Sequence, residues 1–267
     1  MIDYGKHDVL GVPIDAIDLD AAVARIAAYA EARQPCAVTA LAAHGLVEAT
    51  KDHWLRAALA DFDVVLADGQ PVRWVLNARH RLDLNDKVPG PSVTDALLAV
   101  AACKHFPVVL YGSTPATLSA IVAELARRHP DLVVHTIPSQ FRAVGPDELD
   151  EIVAAISATD AQLCFVGLGC PRQERFVAAI AGRLPMPTLA VGAAFDYLAG
   201  RLDRAPGPLQ RAGLEWAYRL AQEPRRLARR YVTTNSEFIA RAAIDLLHRP
   251  GPSKASVPPD LVGAVDA

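Results

Sequence analysis

The sequence predicts an α/β protein of Rossmann-like architecture: a mainly parallel sheet with helices on both faces, followed by a helical C-terminal appendage. Three observations predict it. Short apolar runs alternate with amphipathic stretches from Val9 to Val191, and strands separated by helices need crossover connections that make them parallel. Glycine or polar residues stand at the exits of the apolar runs, where β-to-α turns gather ligands in such sheets. From Gly207 to Arg249 the pattern changes to helices without intervening strands.

Val9 to Ile14 reads as a short apolar strand, and Leu19 to Ala32 has the spacing of an amphipathic helix with Asp18 or Asp20 placed to cap it. Cys36 to Thr39 is the second strand, Ala40 to Thr50 and His53 to Ala60 are short helices, and Phe62 to Ala67 is a third strand ending at Asp68-Gly69. Helix Pro71 to Ala78 leads into the polar connection Arg79 to Pro91, whose Pro89-Gly90-Pro91 predicts a surface loop. Helix Ser92 to Lys104, strand Pro107 to Tyr111, turn Gly112-Ser113, helix Pro115 to His129 and strand Leu132 to Ile137 follow. Beyond the loop Pro138 to Gly145 come helix Pro146 to Ala158, the strand that runs from Leu163 into Gly167, helix Pro171 to Arg183 and strand Thr188 to Val191. The expected organisation is an α/β catalytic domain over residues 1–205, a basic helical appendage over 206–249 and a disordered Pro- and Ser-rich tail over 250–267.

With 267 residues and 52% hydrophobic content the chain can bury a large core. A net charge of -3 and a pI near 6.2 argue against a nucleic-acid partner. The average hides a basic region, because Arg211, Arg219, Arg225, Arg226, Arg229, Arg230 and Arg241 crowd the appendage. Leu214, Trp216, Tyr218, Leu220, Leu227 and Tyr231 are interleaved with them. Such a helix fits an anionic membrane surface, and it fits equally a charged face packed on the domain through its apolar side. Cys36, Cys103, Cys164 and Cys170 form no C-x-x-C pair, which fits a reducing cytoplasm. No signal peptide and no apolar run of about 18 residues is present. The histidines form no H-E-x-x-H pattern, and neither a G-x-S-x-G elbow nor a P-loop lysine occurs, so no metal or cofactor is expected.

Two stretches carry the chemistry. Leu163 to Val166 ends in Gly167-Leu168-Gly169, and Pro171 then opens a helix. A strand-to-helix junction of this kind leaves N–H groups and the positive end of the helix dipole facing outward, a phosphate site in many proteins and a plain tight turn in others. Arg172, Gln173 and Glu174 place three long polar side chains on the first turn. The second stretch is Asp68-Gly69, a carboxylate at the mouth of the expected cleft, where it can serve as a general base or only form a turn. Asp196 in Gly-Ala-Ala-Phe-Asp-Tyr is placed either to bind a ligand or to cap a helix.

Several long motifs, in order, resemble the bacterial WecG/TagA/CpsF glycosyltransferase family. They are Val9 to Asp15, Asp68-Gly69, Val166 to Glu174, Gly192 to Gly200, Arg204-Ala205-Pro206, and Gly213-Leu214-Glu215-Trp216 through Arg219, Glu223-Pro224 and Arg229-Arg230-Tyr231. The resemblance spans roughly residues 8 to 240. It implies inverting, metal-independent transfer of a hexose or N-acetylhexosamine, N-acetylmannosamine above all, from a UDP-sugar to a polyprenyl-diphosphate-linked sugar. The enzyme would act at the cytoplasmic face of the membrane in cell-surface polysaccharide synthesis. By the same resemblance Asp68 is the base, Thr39 lies near it, Gln173 lines the reacting centre, and Arg219, Arg226 and Arg229 reach toward diphosphate. Gly69, Lys87, Gly112, Gly167, Gly169, Arg172, Phe195 and Asp196 complete the expected substrate-binding set.

Relatives carry Asn where this chain has Leu41, and Asp at the end of a loop that here reads Lys87-Val88-Pro89-Gly90-Pro91-Ser92. Losing an amide and a carboxylate changes which sugar hydroxyls can be paired. The alternative is a catalytically inactive nucleotide-sugar-binding or scaffold protein on the same fold. A nicotinamide-dependent dehydrogenase is disfavoured, since no G-x-G-x-x-G follows the first strand. A homo-oligomer formed through helix faces is compatible with the sequence.

Overall fold

An eight-stranded sheet in the order β1-β2-β4-β3-β8-β7-β5-β6 organises the computed structural model. Its strands are β1 (Asp3–Val9), β2 (Val12–Ile17), β3 (Cys36–Leu41), β4 (Val64–Ala67), β5 (Val108–Gly112), β6 (Val134–Ile137), β7 (Leu163–Gly167) and β8 (Pro187–Ala190). The structure describes residues 1–140, 142, 144–211, 214–224 and 231–248. The expected tail, residues 250–267, lies outside them, as do Arg225, Arg226, Arg229 and Arg230. Every strand pair is parallel except β1–β2. The predicted α/β, Rossmann-like class is the observed one.

The helices of the α/β part are α1 (Leu19–Glu31), α2 (Ala43–Lys51), α3 (His53–Ala60), α4 (Gln70–His80), α5 (Gly90–Lys104), α6 (Pro115–Arg128), α7 (Pro146–Ser157), α8 (Arg172–Ile180) and α9 (Ala194–Leu198). Their apolar stripes cover opposite faces of the sheet. Ile26 of α1, Leu97 of α5, Ile121 of α6 and Phe195 of α9 belong to one core cluster. Leu46 of α2, Leu55 of α3, Val72 of α4, Ile156 of α7 and Val177 of α8 belong to the other. Each connection that steps toward β6 sends a helix across the first face, and each that steps toward β1 sends one across the second, as a single crossover hand requires. Local chemistry sets the helix starts: the Asp18 carboxylate accepts from Ala21 N at 2.8 Å, the Thr114 hydroxyl from Thr117 N at 3.2 Å, and Pro115 and Pro146 occupy first-turn positions.

The structure corrects several expectations. Val9 to Ile14 is not one strand but the turn of a hairpin, because Leu10 and Gly11 take φ of 55° and 84° and reverse the chain. β1, rich in Asp, Lys and His, lacks apolar alternation and gives no strand signal of its own. β3 runs on to Leu41 because Ala40 and Leu41 pair with Leu66 and Ala67, which delays α2 to Ala43. The connection after α4 is not wholly on the surface: Leu84 and Val88 are buried, and Val88 N donates to Ala67 O at 2.9 Å.

The appendage holds α10 (Gly207–Arg211), α11 (Glu215–Gln222), a π-helical turn (Tyr231–Asn235) and α12 (Ser236–His248). α12 lies on the α/β part. Phe238 and Ala242 are buried in the core cluster that contains Leu46 and Val72, and Lys51–Glu237 (2.7 Å) and Arg79–Asp245 (3.2 Å) pair at its edges.

Candidate active site

The site forms where β4, β3, β8 and β7 end side by side. Asp68 is the first residue beyond β4, and its N–H donates to Leu41 O at 3.1 Å, extending the β3–β4 pairing by one step. Gly69 follows at φ 107°, a conformation open to glycine, and begins α4. The backbone N–H of Gly90, at the start of α5, lies near the Asp68 carboxyl. Gly90 sits so close to β8 that a Cβ there would lie 2.7 Å from Val191 O.

Burial pushes the Asp68 carboxyl up from its ordinary value, and nearby Glu215 pushes the same way. Arg219, the Gly90 amide and Lys87 oppose the rise without cancelling it. Lys87 and Glu215 form an ion pair at 2.6 Å in which the lysine side chain is only 9% exposed, and this contact joins the loop after α4 to α11. The Arg219 guanidinium lies 5.9 Å from the Tyr197 ring centroid, and its Nε is 3.9 Å from Glu223. The structure therefore brings Asp68, Lys87, Glu215 and Arg219 together from the end of β4, the loop after α4 and α11, two cations and a second carboxylate around one carboxyl.

Behind Asp68 is a buried polar network. Gln173, 2% exposed, accepts at Oε1 from Gly169 N at 3.1 Å and from Gly192 N at 3.0 Å. Its Nε2 donates to Glu174 Oε1 at 2.9 Å, and the Thr39 hydroxyl donates to the same oxygen at 3.2 Å. One glutamine thus ties the turn after β7 to the turn after β8, and Glu174 ties both to the middle of β3. The turn amides expected to await phosphate are not all free, since Gly169 N–H is engaged by Gln173. Asp68 and the network lie at the same end of the sheet: Gly90, near Asp68, abuts Val191, and the next amide along, Gly192 N–H, belongs to Gln173.

The remaining expected residues spread around this centre. Gly112 and Gly167 are register partners at the ends of β5 and β7, and a Cβ on Gly112 would lie 2.8 Å from Gly167 O. The Phe195 ring lies over Gly167, where a Cβ would come within 2.4 Å of it, and is 3% exposed, so this side chain shapes the β7 turn from inside the core. Asp196 is partly buried in the first turn of α9, and its carbonyl accepts from Arg201 N and Leu202 N. Arg172 is exposed at the start of α8. Arg226 and Arg229 lie outside the described residues.

Two hollows flank these elements. One, of about 230 Å³, is lined by Tyr111, Ile137, Gln140, Arg142 and Glu148 at the exits of β5 and β6. A larger one, of about 410 Å³, lies at the opposite end of β3 beside Cys36, Trp54 and Asp63, and neither hollow is lined by any of the expected residues. Among the described residues no group of three His, Cys, Asp or Glu side chains is placed to hold a metal ion, and no helix is long and apolar enough to cross a membrane.

Sequence reasoning named no role for Glu174, Gly90, Gly192 or Glu215. Glu174 and Glu215 were visible inside motifs, but their partners Thr39 and Lys87 are distant in sequence, and nothing local announces the pairing. Among known families, the model described as "Glycosyl transferase WecG/TagA/CpsF family" matches residues 7–251.

Proposed function

The chain belongs to the WecG/TagA/CpsF family of glycosyltransferases, and from that premise we propose that it transfers a hexose or N-acetylhexosamine, of the N-acetylmannosamine type, from a UDP-sugar to a polyprenyl-diphosphate-linked sugar. The observation that carries the reading is the grouping at Asp68: a carboxyl raised by burial, with the Gly90 amide, Arg219 and the Lys87–Glu215 ion pair near it. As general base, Asp68 takes the proton of the acceptor hydroxyl while that oxygen attacks the anomeric carbon from the face opposite the leaving group. The C–O bond to the diphosphate breaks with inversion, and the electron pair leaves with UDP. Arg219 and Lys87 supply positive charge where the diphosphate charge develops. Arg226 and Arg229 are assigned to the same task. Gln173 and Thr39 serve the centre from below, by keeping the turns after β7 and β8 in place.

Gly69 and Gly169, where a Cβ would meet little or nothing, let the donor approach the backbone, while Gly112 and Gly167 let β5, β7 and the Phe195 ring pack closely, and Arg172 and Asp196 stand at helix starts on the same rim. The appendage closes the site and rests on an anionic membrane surface at the cytoplasmic face. Exposed Leu214, Trp216, Ile239, Ile244 and Leu247 support that placement, since they accompany the arginines on α11 and α12. Leu41, 1% exposed, packs against Gly45, where a Cβ would meet its Cδ1 at 2.4 Å, so the position of the family asparagine is here part of the core.

A panel of UDP-sugars and short polyprenyl-diphosphate sugars, read by UDP release, tests the reading. Turnover with an N-acetylhexosamine donor supports it. Tight UDP-sugar binding with no release for any pair would favour the inactive scaffold instead.

A further inference from the structure

We infer that Glu174 is a positioning residue that fixes the orientation of the Gln173 amide and, through it, the distance between the turns after β7 and β8. The inference rests on reading this cleft as the substrate site. Two backbone groups, Gly169 N–H and Gly192 N–H, can only donate, so they require the oxygen end of the Gln173 amide. The NH₂ end must then face an acceptor. Glu174 supplies it with Oε1, and the Thr39 hydroxyl, donating to the same atom, pins that oxygen to the centre of β3.

The two backbone donors at one end of the amide and the Glu174 acceptor at the other select the same orientation. Turned over, Gln173 would set its own N–H groups against two backbone N–H groups and leave them unpaired in a buried site, a costly outcome. Glu174 is 1% exposed, and its Oε2 makes no hydrogen bond of ordinary geometry among the described residues, while the Cys170 thiol lies beside the carboxyl. Burying an acid costs desolvation, which the hydrogen bonds from Gln173 and Thr39 offset in part. Burial also pushes the Glu174 carboxyl up, toward the neutral acid, in which form the unprotonated oxygen still accepts from both donors. A group that carries a desolvation cost and is needed for the geometry of two turns is what a positioning role predicts.

Hydrogen exchange by NMR on the intact protein, with UDP binding measured beside it, decides the matter. In Glu174→Leu the Gly169 and Gly192 amides should exchange roughly tenfold faster or more and UDP should bind about tenfold more weakly, with a lower melting temperature because the Gln173 and Thr39 donors are left unpaired. Glu174→Gln, whose amide oxygen can accept from both donors, should restore both readouts to within about twofold of wild type. Unchanged protection of the two amides in Glu174→Leu would overturn the inference, and so would a Glu174→Gln protein as unprotected as the leucine variant. If Glu174→Leu does not fold, the wild-type Gln173 side-chain amide still answers: its protons should be protected from exchange, and exchange at the rate of a free amide would refute the role. Absence of UDP binding by the wild type would count against the functional reading, while the exchange comparison would still judge Glu174.

Discussion

Replacing Gly90 by alanine tests how closely the fold and the proposed chemistry are joined. A Cβ at this position would lie 2.7 Å from Val191 O and 3.5 Å from the Ala40 Cβ. The first of these is a backbone carbonyl at the end of β8, which cannot swing away as a side-chain tip can, so the start of α5 must back off by about 0.7 Å to reach ordinary contact. Overpacking of this kind costs roughly 1–3 kcal/mol. Alanine recovers up to about 1 kcal/mol in a helical position. The net loss should be about 1–2 kcal/mol, or roughly 2–8 °C in melting temperature for a domain of this size.

The same retreat draws the Gly90 N–H away from the Asp68 carboxylate. That amide lowers the Asp68 pKa against burial, so its withdrawal lets the pKa rise further. A base works only when deprotonated. The acid limb of the kcat/KM profile should therefore move to higher pH in Gly90→Ala, with activity near the optimum least affected. Thermal melts and a pH–rate profile of UDP release check the two halves. A variant with both the wild-type melting temperature and the wild-type acid limb would refute the reasoning.

Two further changes probe the appendage. Arg219→Gln removes the largest influence opposing the rise of the Asp68 pKa, so its acid limb should also move to higher pH, and kcat should fall because the departing diphosphate loses a cation; an unmoved limb would place Arg219 away from the base. Phe238→Ala deletes a ring that is 1% exposed and should cost about 3–5 kcal/mol in urea unfolding; a loss below about 1 kcal/mol would mean that α12 does not pack on the α/β core.

What the sequence made legible was what is local. Alternation of apolar runs and amphipathic stretches is written in neighbouring residues, and so are the Asp68-Gly69 exit and the Gly167-Leu168-Gly169 turn. β1 was hidden because an edge strand that carries Asp3, Lys6, His7 and Asp8 keeps no apolar face, and its pairing depends on a turn at Leu10-Gly11 that an apolar run conceals. The burial of Leu84 and Val88 was hidden by the polar residues between them. Phe195 looked like a ligand-facing aromatic because it stands in a motif beside Asp196, but Gly167, distant in sequence, is what it packs against. Long-range polar pairs were the least legible. Thr39 with Glu174, Lys87 with Glu215 and Gly90 with Asp68 exist only once β3, β4, β8 and the appendage are assembled.

Asp68→Asn, assayed for UDP release with the best donor and acceptor pair, measures the proposed chemistry most directly. Because burial raises the Asp68 pKa, the ionised carboxylate works against the fold at neutral pH, and the asparagine variant should melt at or above the wild-type temperature there. The account predicts that kcat falls by about 10²–10⁴ while UDP binding persists. A folded Asp68→Asn protein that binds UDP and turns over within about threefold of wild type would contradict it, since a loss that small is far below what removing a general base causes.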